Sequence, residues 1–237
     1  MEQPIVRKIA DLKQSIEGIA KKASRPYDAI RFILVTKGVA IEKIAEARDA
    51  GIQDFGENRI QEFLRKQETL PGDIHWHFIG RLQTNKVKFL LKKIRSVSLL
   101  HSLDREELAR EIEREAARMN IAEVPCLIQI NGSQEKTKGG FMLGQAADFV
   151  ARLPSRSRIS IRGLMTIGPL TEDRQKIRAA FRCVREERER LAKRFPEKDW
   201  GILSMGMSSD YEIAIEEGAN LLRIGTAVFG PRQVIHD

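Results

Sequence analysis

RFILVTKGVAIEKIAEARDAG, residues 31–51, is the stretch on which the fold turns. RFILVTK (31–37) is a nearly continuous apolar run of strand length, which reads as a strand buried on both faces. IEKIAEARDAG (41–51) spaces its apolar residues as a helix does and closes on Gly51, a favoured position just past a helix end. Strand, short turn and helix make one βα unit. If that unit recurs, the sheet is parallel and helices cover it.

The strand signal does recur, in QDF (53–55), HWHFI (75–79), SVSLLHS (96–102), VPCLIQIN (124–131), SRISIRGLMTI (157–167), WGILSMG (200–206) and NLLRIGT (220–226). Helical stretches fall between them at 58–70, 83–94, 105–120, 144–153, 172–194 and from near Ser208 to Gly218, and a short tail follows the last strand. Asp104 is read as the cap of the 105–120 helix. Upstream, Ile5, Ile9, Leu12, Ile16 and Ile19 form one apolar stripe on a helix that ends before Pro26. Alternation without a linker-like break predicts an α/β protein with a single-domain (β/α)8 TIM barrel, about residues 30–232, preceded by an extra N-terminal helix, about residues 2–23.

Composition narrows the function classes. The 237 residues carry 41 Lys and Arg against 33 Asp and Glu, a formal charge of +8. At 42% hydrophobic and 31% charged residues the chain can fill one large core, which excludes disordered, collagen-like and low-complexity proteins. Cys126 and Cys183 cannot build a disulfide framework or a metal cluster and are read as reduced core thiols. No Cys-x-x-Cys or His-Glu-x-x-His spacing occurs, and His75 and His77 flank Trp76 on one strand face without a carboxylate or thiol companion, so no metal site is expected. The N-terminal stretch has only isolated apolar residues, and no apolar run nears the ~18 residues of a membrane span. A cytoplasmic protein with no membrane association is expected.

The charge is unevenly spread. RCVREERERLAKR (182–194) alternates basic and acidic residues, as a solvated helix face does. KVKFLLKKIR (86–95) has five basic residues and no acidic one, which fits a helix exterior or an anion-binding face. No nucleic-acid-binding motif accompanies it, so a nucleic-acid-associated regulator rests on charge alone.

Chemistry-bearing residues gather at strand ends. Lys37 follows the apolar Ile33-Leu34-Val35, and a lysine with its stem in apolar surroundings loses hydration of its ammonium, which favours a nucleophilic amine able to form a Schiff base. Ser204, Gly206, Ser208 and Ser209 stand where the seventh strand passes into a helix, and Arg223, Gly225 and Thr226 at the end of the eighth. These two loops are where barrels recurrently hold phosphate. Gly38, Gly56, Gly80, Gly132, Gly168, Gly206 and Gly225 mark the ends of seven strands, serving either turn formation or close approach of a ligand. No Walker loop or Gly-x-Gly-x-x-Gly occurs, which argues against a nucleotide. His101 ends the fourth strand, as a loop hydrogen-bonding residue or a general base.

FGENRIQEF (55–63), WHFIGRLQTNK (76–86), GLMTIG (163–168), LSMGMSSDYEIAIEEGA (203–219) and RIGTAVFG (223–230), with Lys37 ending the first strand, resemble the pyridoxal phosphate homeostasis protein family, single-domain relatives of the alanine racemase barrel. The resemblance runs in order over about residues 5–232. It implies a barrel of the third pyridoxal phosphate (PLP) fold type, with Lys37 holding PLP as an internal aldimine. It further implies phosphate contacts from Ser204, Gly206, Met207, Ser208, Gly225 and Thr226, largely through backbone N–H groups, with Arg223 facing the pyridine nitrogen and Asn58, His77 and Met165 near the ring. Arg81 stands where the family usually has His, and Arg59 where it commonly has Tyr.

An arginine opposite the pyridine nitrogen donates to it and disfavours the pyridinium that makes the cofactor a strong electron sink. The racemases draw a second base, a tyrosine, from an additional domain of a partner subunit, and the eight units use up this chain. Tyr27 precedes the first strand and Tyr211 lies inside the helix after the seventh, so neither is well placed. The expected function is PLP homeostasis or delivery without robust turnover, by a monomer whose partners include apo PLP-dependent enzymes. A weak amino-acid racemase or related enzyme is the alternative.

Overall fold

The strands pair in chain order because each βα unit returns the chain to the same end of the sheet, and the last meets the first. In the computed structural model, which describes residues 3–133, 135 and 138–231, they are β1 (Arg31–Val35), β2 (Asp54–Glu57), β3 (His75–Phe78), β4 (Val97–Leu103), β5 (Val124–Gln129), β6 (Ile159–Met165), β7 (Ile202–Ser204) and β8 (Leu221–Ile224). All neighbours are parallel and the barrel is closed, β1 pairing with both β2 and β8. The register sets Leu34 opposite Phe55 on one side and Ile33 opposite Arg223 on the other. Residues 1, 2 and 232 at the expected element ends lie outside the described residues, as do 134, 136 and 137 of the loop after β5.

Strand periodicity sorts the side chains into two cores. Ile33, Leu99, Leu127, Met165 and Leu221 meet inside the barrel. Alternate residues such as Leu34, Phe55, Trp76 and Leu100 face outward into the larger core beneath the helices. Gly56 points inward, where an added Cβ would lie 3.0 Å from Ile33 Cδ1.

The surrounding helices are α1 (Ile5–Lys22), α2 (Ile41–Asp49), α3 (Ile60–Thr69), α4 (Val87–Leu91), α5 (Glu106–Arg118), α6 (Gln145–Arg152), α7 (Arg174–Arg194), α8 (Tyr211–Glu216) and α9 (Thr226–Phe229). The stripe on α1 buries Ile5, Ile9, Leu12 and Ile16 as its spacing predicts. Asp173 caps α7, its carboxylate accepting from the Gln175 and Lys176 N–H groups.

Several local expectations are corrected. The basic stretch 86–95 is no continuous helix: Thr84–Lys86 and Ile94–Ser96 are 3-10 turns around the short α4, and Lys93 leaves helical geometry as the chain turns back toward β4. Asp104 does not cap α5. Its buried carboxylate pairs instead with Arg81 at 3.1 Å and with Arg105, because two guanidiniums outcompete the weaker helix N–H donors. The tail after β8 contains the one-turn α9, and Cys183 is only half-buried on α7, whereas Cys126 is fully enclosed.

Candidate functional site

β1 does not stop at Val35. The Thr36 N–H still reaches the Gly56 carbonyl at 2.9 Å, so the backbone is held by the sheet up to the residue before Lys37. Gly38 then turns the chain with φ +68, a conformation that side chains with a Cβ rarely adopt. Lys37 is half-buried and lines a cleft with Gly38, Val39, Gly225, Thr226 and Phe229. Barrel closure brings these together: Lys37 follows β1, Gly225 follows β8, and those strands are neighbours only because the sheet closes.

Beneath Lys37, on the outward face of the sheet, lies an ionic cluster. Lys66 of α3 donates to Glu57 Oε1 at 2.5 Å, to the Thr36 carbonyl at 2.6 Å and to Glu62 Oε2 at 3.2 Å. Glu62 Oε2 also accepts the Gly38 N–H at 2.8 Å, and the Thr36 hydroxyl donates to Glu57 at 2.7 Å. The peptide groups on both sides of Lys37 are therefore tied to one cluster. Glu62 responds to it: although burial raises its carboxyl, the Gly38 N–H and the Lys66 ammonium bring it below the ordinary carboxylate range.

The loops after β7 and β8 meet at Ser208. Its Oγ accepts the N–H groups of Gly225 and Ala227, each at 3.2 Å, so two backbone donors converge on one oxygen. Gly206 has φ +94 and an added Cβ would approach Ala214 Cβ to 2.6 Å, which leaves only glycine room there. The Met207 N–H is taken by the Asp210 carboxylate at 2.5 Å, and burial raises that carboxyl above its usual range.

Arg223 stands two residues before Gly225, buried inside the barrel. Nη1 donates to the Ser204 carbonyl and hydroxyl, both at 2.8 Å, and Nη2 to the Thr166 carbonyl at 2.7 Å. Burial lowers its guanidinium to about 10, which leaves it charged at neutral pH. Ser204, implied among the phosphate contacts, has its hydroxyl turned inward between Arg223 and His101, with no exposed surface. His101 is corrected, from a loop residue to a fully enclosed group within β4, and burial, His77 and Arg223 hold its imidazole well below the ordinary range. His77 bridges His101 and Asp54, so it reaches Arg223 only through two other side chains. Met165 belongs to the interior apolar layer. Asn58 lines a neighbouring groove with Arg59, Arg81 and Gln83, and its buried Oδ1 has no hydrogen-bond partner among the described residues.

Lys66, Glu57, Glu62, Asp54 and Asp210 were not legible as site residues. Lys66 did carry a signal, since it continues the buried stripe Ile60, Phe63 of α3, where a lysine demands a buried partner. Asp54 supplies the carboxylate that His75 and His77 lack in the sequence reading, at 3.7 and 3.1 Å, but no group of three or more metal-ligating side chains exists among the described residues. No helix among them is long and apolar enough to cross a membrane.

A parallel barrel with a half-buried lysine at the β1–β8 junction and an arginine inside β8 defines a class, and residues 9–233 match that class as the alanine racemase N-terminal domain. A PLP homeostasis protein of Aquifex aeolicus is 42% identical over 234 residues, spanning 95% of this chain and 97% of the relative, and one of Vibrio cholerae is 36% identical over 236 residues. The chain belongs to the pyridoxal phosphate homeostasis protein family. PipY of Synechococcus elongatus, solved without and with PLP, superposes with TM-scores of 0.83 and 0.80 at 31% identity, over 95% of this chain and 100% of PipY. Alanine racemase of Corynebacterium glutamicum shares the fold, with a TM-score of 0.72 at 13% identity, over 98% of this chain and 63% of the racemase.

Proposed function

We propose that this protein binds PLP in the cleft at the β1–β8 junction, with Lys37 as its Schiff-base lysine, and serves to hold and release the cofactor without robust turnover. The observation that carries the reading is the shared cleft of Lys37, Gly225 and Thr226. PLP supplies an aldehyde that condenses reversibly with a primary amine, a phosphate group and an electron-withdrawing pyridine ring.

The donor set fits that ligand. Gly225 and Ala227 already aim two N–H groups at one oxygen, that of Ser208, which suits a phosphate oxygen in the same place; Gly206, Met207 and Thr226 belong to the same pair of loops. Arg223 spends three of its five N–H donors, at Nη1 and Nη2, on Ser204 and Thr166, which leaves Nε and one Nη2 hydrogen for the ring nitrogen among the described residues. A charged donor there keeps the ring unprotonated and mutes carbanion chemistry. Tyr211, moreover, hydrogen-bonds Ser15 of α1 at 3.0 Å, and Tyr27 precedes β1 at the opposite end from Lys37, so neither tyrosine supplies a second acid–base group to the cleft.

Purified protein mixed with PLP should show a visible absorption band, and borohydride should fix a pyridoxyl mass on Lys37. A protein that stays colourless with added cofactor defeats the proposal. Deuterium wash-in at Cα of alanine or serine at enzyme-like rates would instead make it a racemase-type enzyme. Transfer of cofactor from loaded protein to an apo PLP-dependent enzyme, faster than free exchange through solvent, tests delivery.

A further inference from the structure

Arg223 and Asp54 are the ends of one hydrogen-bonded line through the barrel interior. Arg223 Nη1 lies 2.8 Å from Ser204 Oγ, Ser204 Oγ 3.1 Å from His101 Nδ1, His101 Nε2 3.0 Å from His77 Nδ1, and His77 Nε2 3.1 Å from Asp54 Oδ1. Three strands, β7, β4 and β3, supply the inner members Ser204, His101 and His77. Asp54 opens β2 and is partly exposed, whereas Arg223 sits near the cleft end of β8, so the line crosses from one end of the barrel toward the other.

Its ends fix its direction. A guanidinium only donates, and an ionised carboxylate only accepts. His77 must therefore give its Nε2 proton to Asp54, leaving Nδ1 bare to accept from His101 Nε2. His101 in turn accepts at Nδ1 from the Ser204 hydroxyl, whose oxygen is left to receive Arg223. Each inner group then uses one donor and one acceptor along the line, and both imidazoles are neutral. Reversed, the line fails at Ser204: its oxygen would face N–H groups from His101 and Arg223 together, and its own hydrogen would have no acceptor. The electrostatics agree, since burial with His77 and Arg223 disfavours a charged His101, and although burial is the largest influence on Asp54, the His77 hydrogen bond and the neighbouring basic groups together bring its carboxyl below the usual range.

We propose that Asp54, His77, His101 and Ser204 are positioning residues that hold Nη1 of Arg223 through the Ser204 hydroxyl and so aim the remaining guanidinium donors at the cofactor ring. This rests on the PLP-binding reading above. The members touch the cofactor only through Arg223, and their effect is on where that guanidinium points and how its donors are shared.

The first test needs no cofactor. Long-range proton–nitrogen spectra of the ¹⁵N-labelled cofactor-free protein at pH 7 are expected to show His77 and His101 both neutral and both protonated at Nε2. An Nδ1–H form or an imidazolium at either residue overturns the proposal. The second test uses Asp54→Ala, a change at a partly exposed site, with a melting curve to verify folding. It should scramble the tautomers of both histidines and weaken PLP binding about tenfold, the scale of one lost charge-assisted hydrogen bond, while borohydride still labels Lys37 at saturating PLP. Asp54→Asn, which keeps an accepting oxygen, should recover most of that affinity. Scrambled tautomers with unchanged affinity in Asp54→Ala overturn the positioning role and leave cofactor binding standing. Wild-type protein that binds no PLP defeats the reading above and the cofactor half of this proposal, and the spectra still decide the direction of the line.

Discussion

Lys66 Nζ lies 2.5 Å from Glu57 Oε1, and neither side chain has any exposed surface. The pair stands between α3 and the outer face of β2, and through it the Thr36 carbonyl and, by way of Glu62, the Gly38 N–H are fastened on either side of Lys37. Removing one partner strands the other charge in the core. Lys66→Met should therefore destabilise the protein by about 3–5 kcal/mol, read from urea denaturation. Lys66→Met combined with Glu57→Gln should recover much of the loss, because no fully buried charge is then left unpaired and the partly exposed Glu62 keeps the Gly38 N–H. A single variant as stable as the wild type would show that the pair does not anchor this strand end.

Gly206→Ala is expected to cost about 2 kcal/mol or more, since it combines a left-handed backbone with overpacking. The backbone there has φ +94 and the added methyl would lie 2.6 Å from Ala214 Cβ on α8. PLP affinity should fall with the displaced loop. Thermal melts and a spectral titration measure the two effects separately.

His101 makes stability depend on pH. Its imidazole is held well below 6.5 in the folded protein by burial, His77 and Arg223. Below that pH the unfolded chain binds a proton that the folded chain refuses, so stability is present above about 6.5 and declines as the pH falls through it, with a slope approaching about 1.4 kcal/mol per unit. Urea midpoints between pH 7 and pH 5 should show this slope. His101→Gln should flatten it in that window.

Lys37→Ala should abolish borohydride-fixed pyridoxyl label while leaving the fold intact, because the side chain is only half-buried at a strand end, unlike the fully buried, ion-paired Lys66. Lys43 lines the same cleft and is the control. Label that moves to Lys43 at the wild-type rate would mean that covalent capture is not a property of Lys37.

Much of this was legible in the residues themselves. Apolar runs such as Ile33-Leu34-Val35, alternating with helical stripes such as that of α1, specify strands and helices through local periodicity. Local spacing also marked Lys37, Gly206, Ser208, Arg223, Gly225 and Thr226 as strand-end residues. Where local signals failed, a tertiary partner had won. Asp104 has the chemistry of a helix cap but is claimed by Arg81 and Arg105, and the 86–95 stretch reads as one helix but breaks where the chain must re-enter the sheet.

By itself, then, the sequence determined the βα repeat, the closed barrel and the residues at the mouth, because these depend on hydrophobic period and turn chemistry carried by neighbours in the chain. Only the tertiary structure decided that Lys37 and Gly225 share a cleft, that Lys66 completes Glu57, and that Arg223, Ser204, His101, His77 and Asp54 form one line. Those relationships join side chains from strands that meet through barrel closure and register. A hydrogen bond over 3 Å is fixed by where backbones lie in space, which no local spacing records.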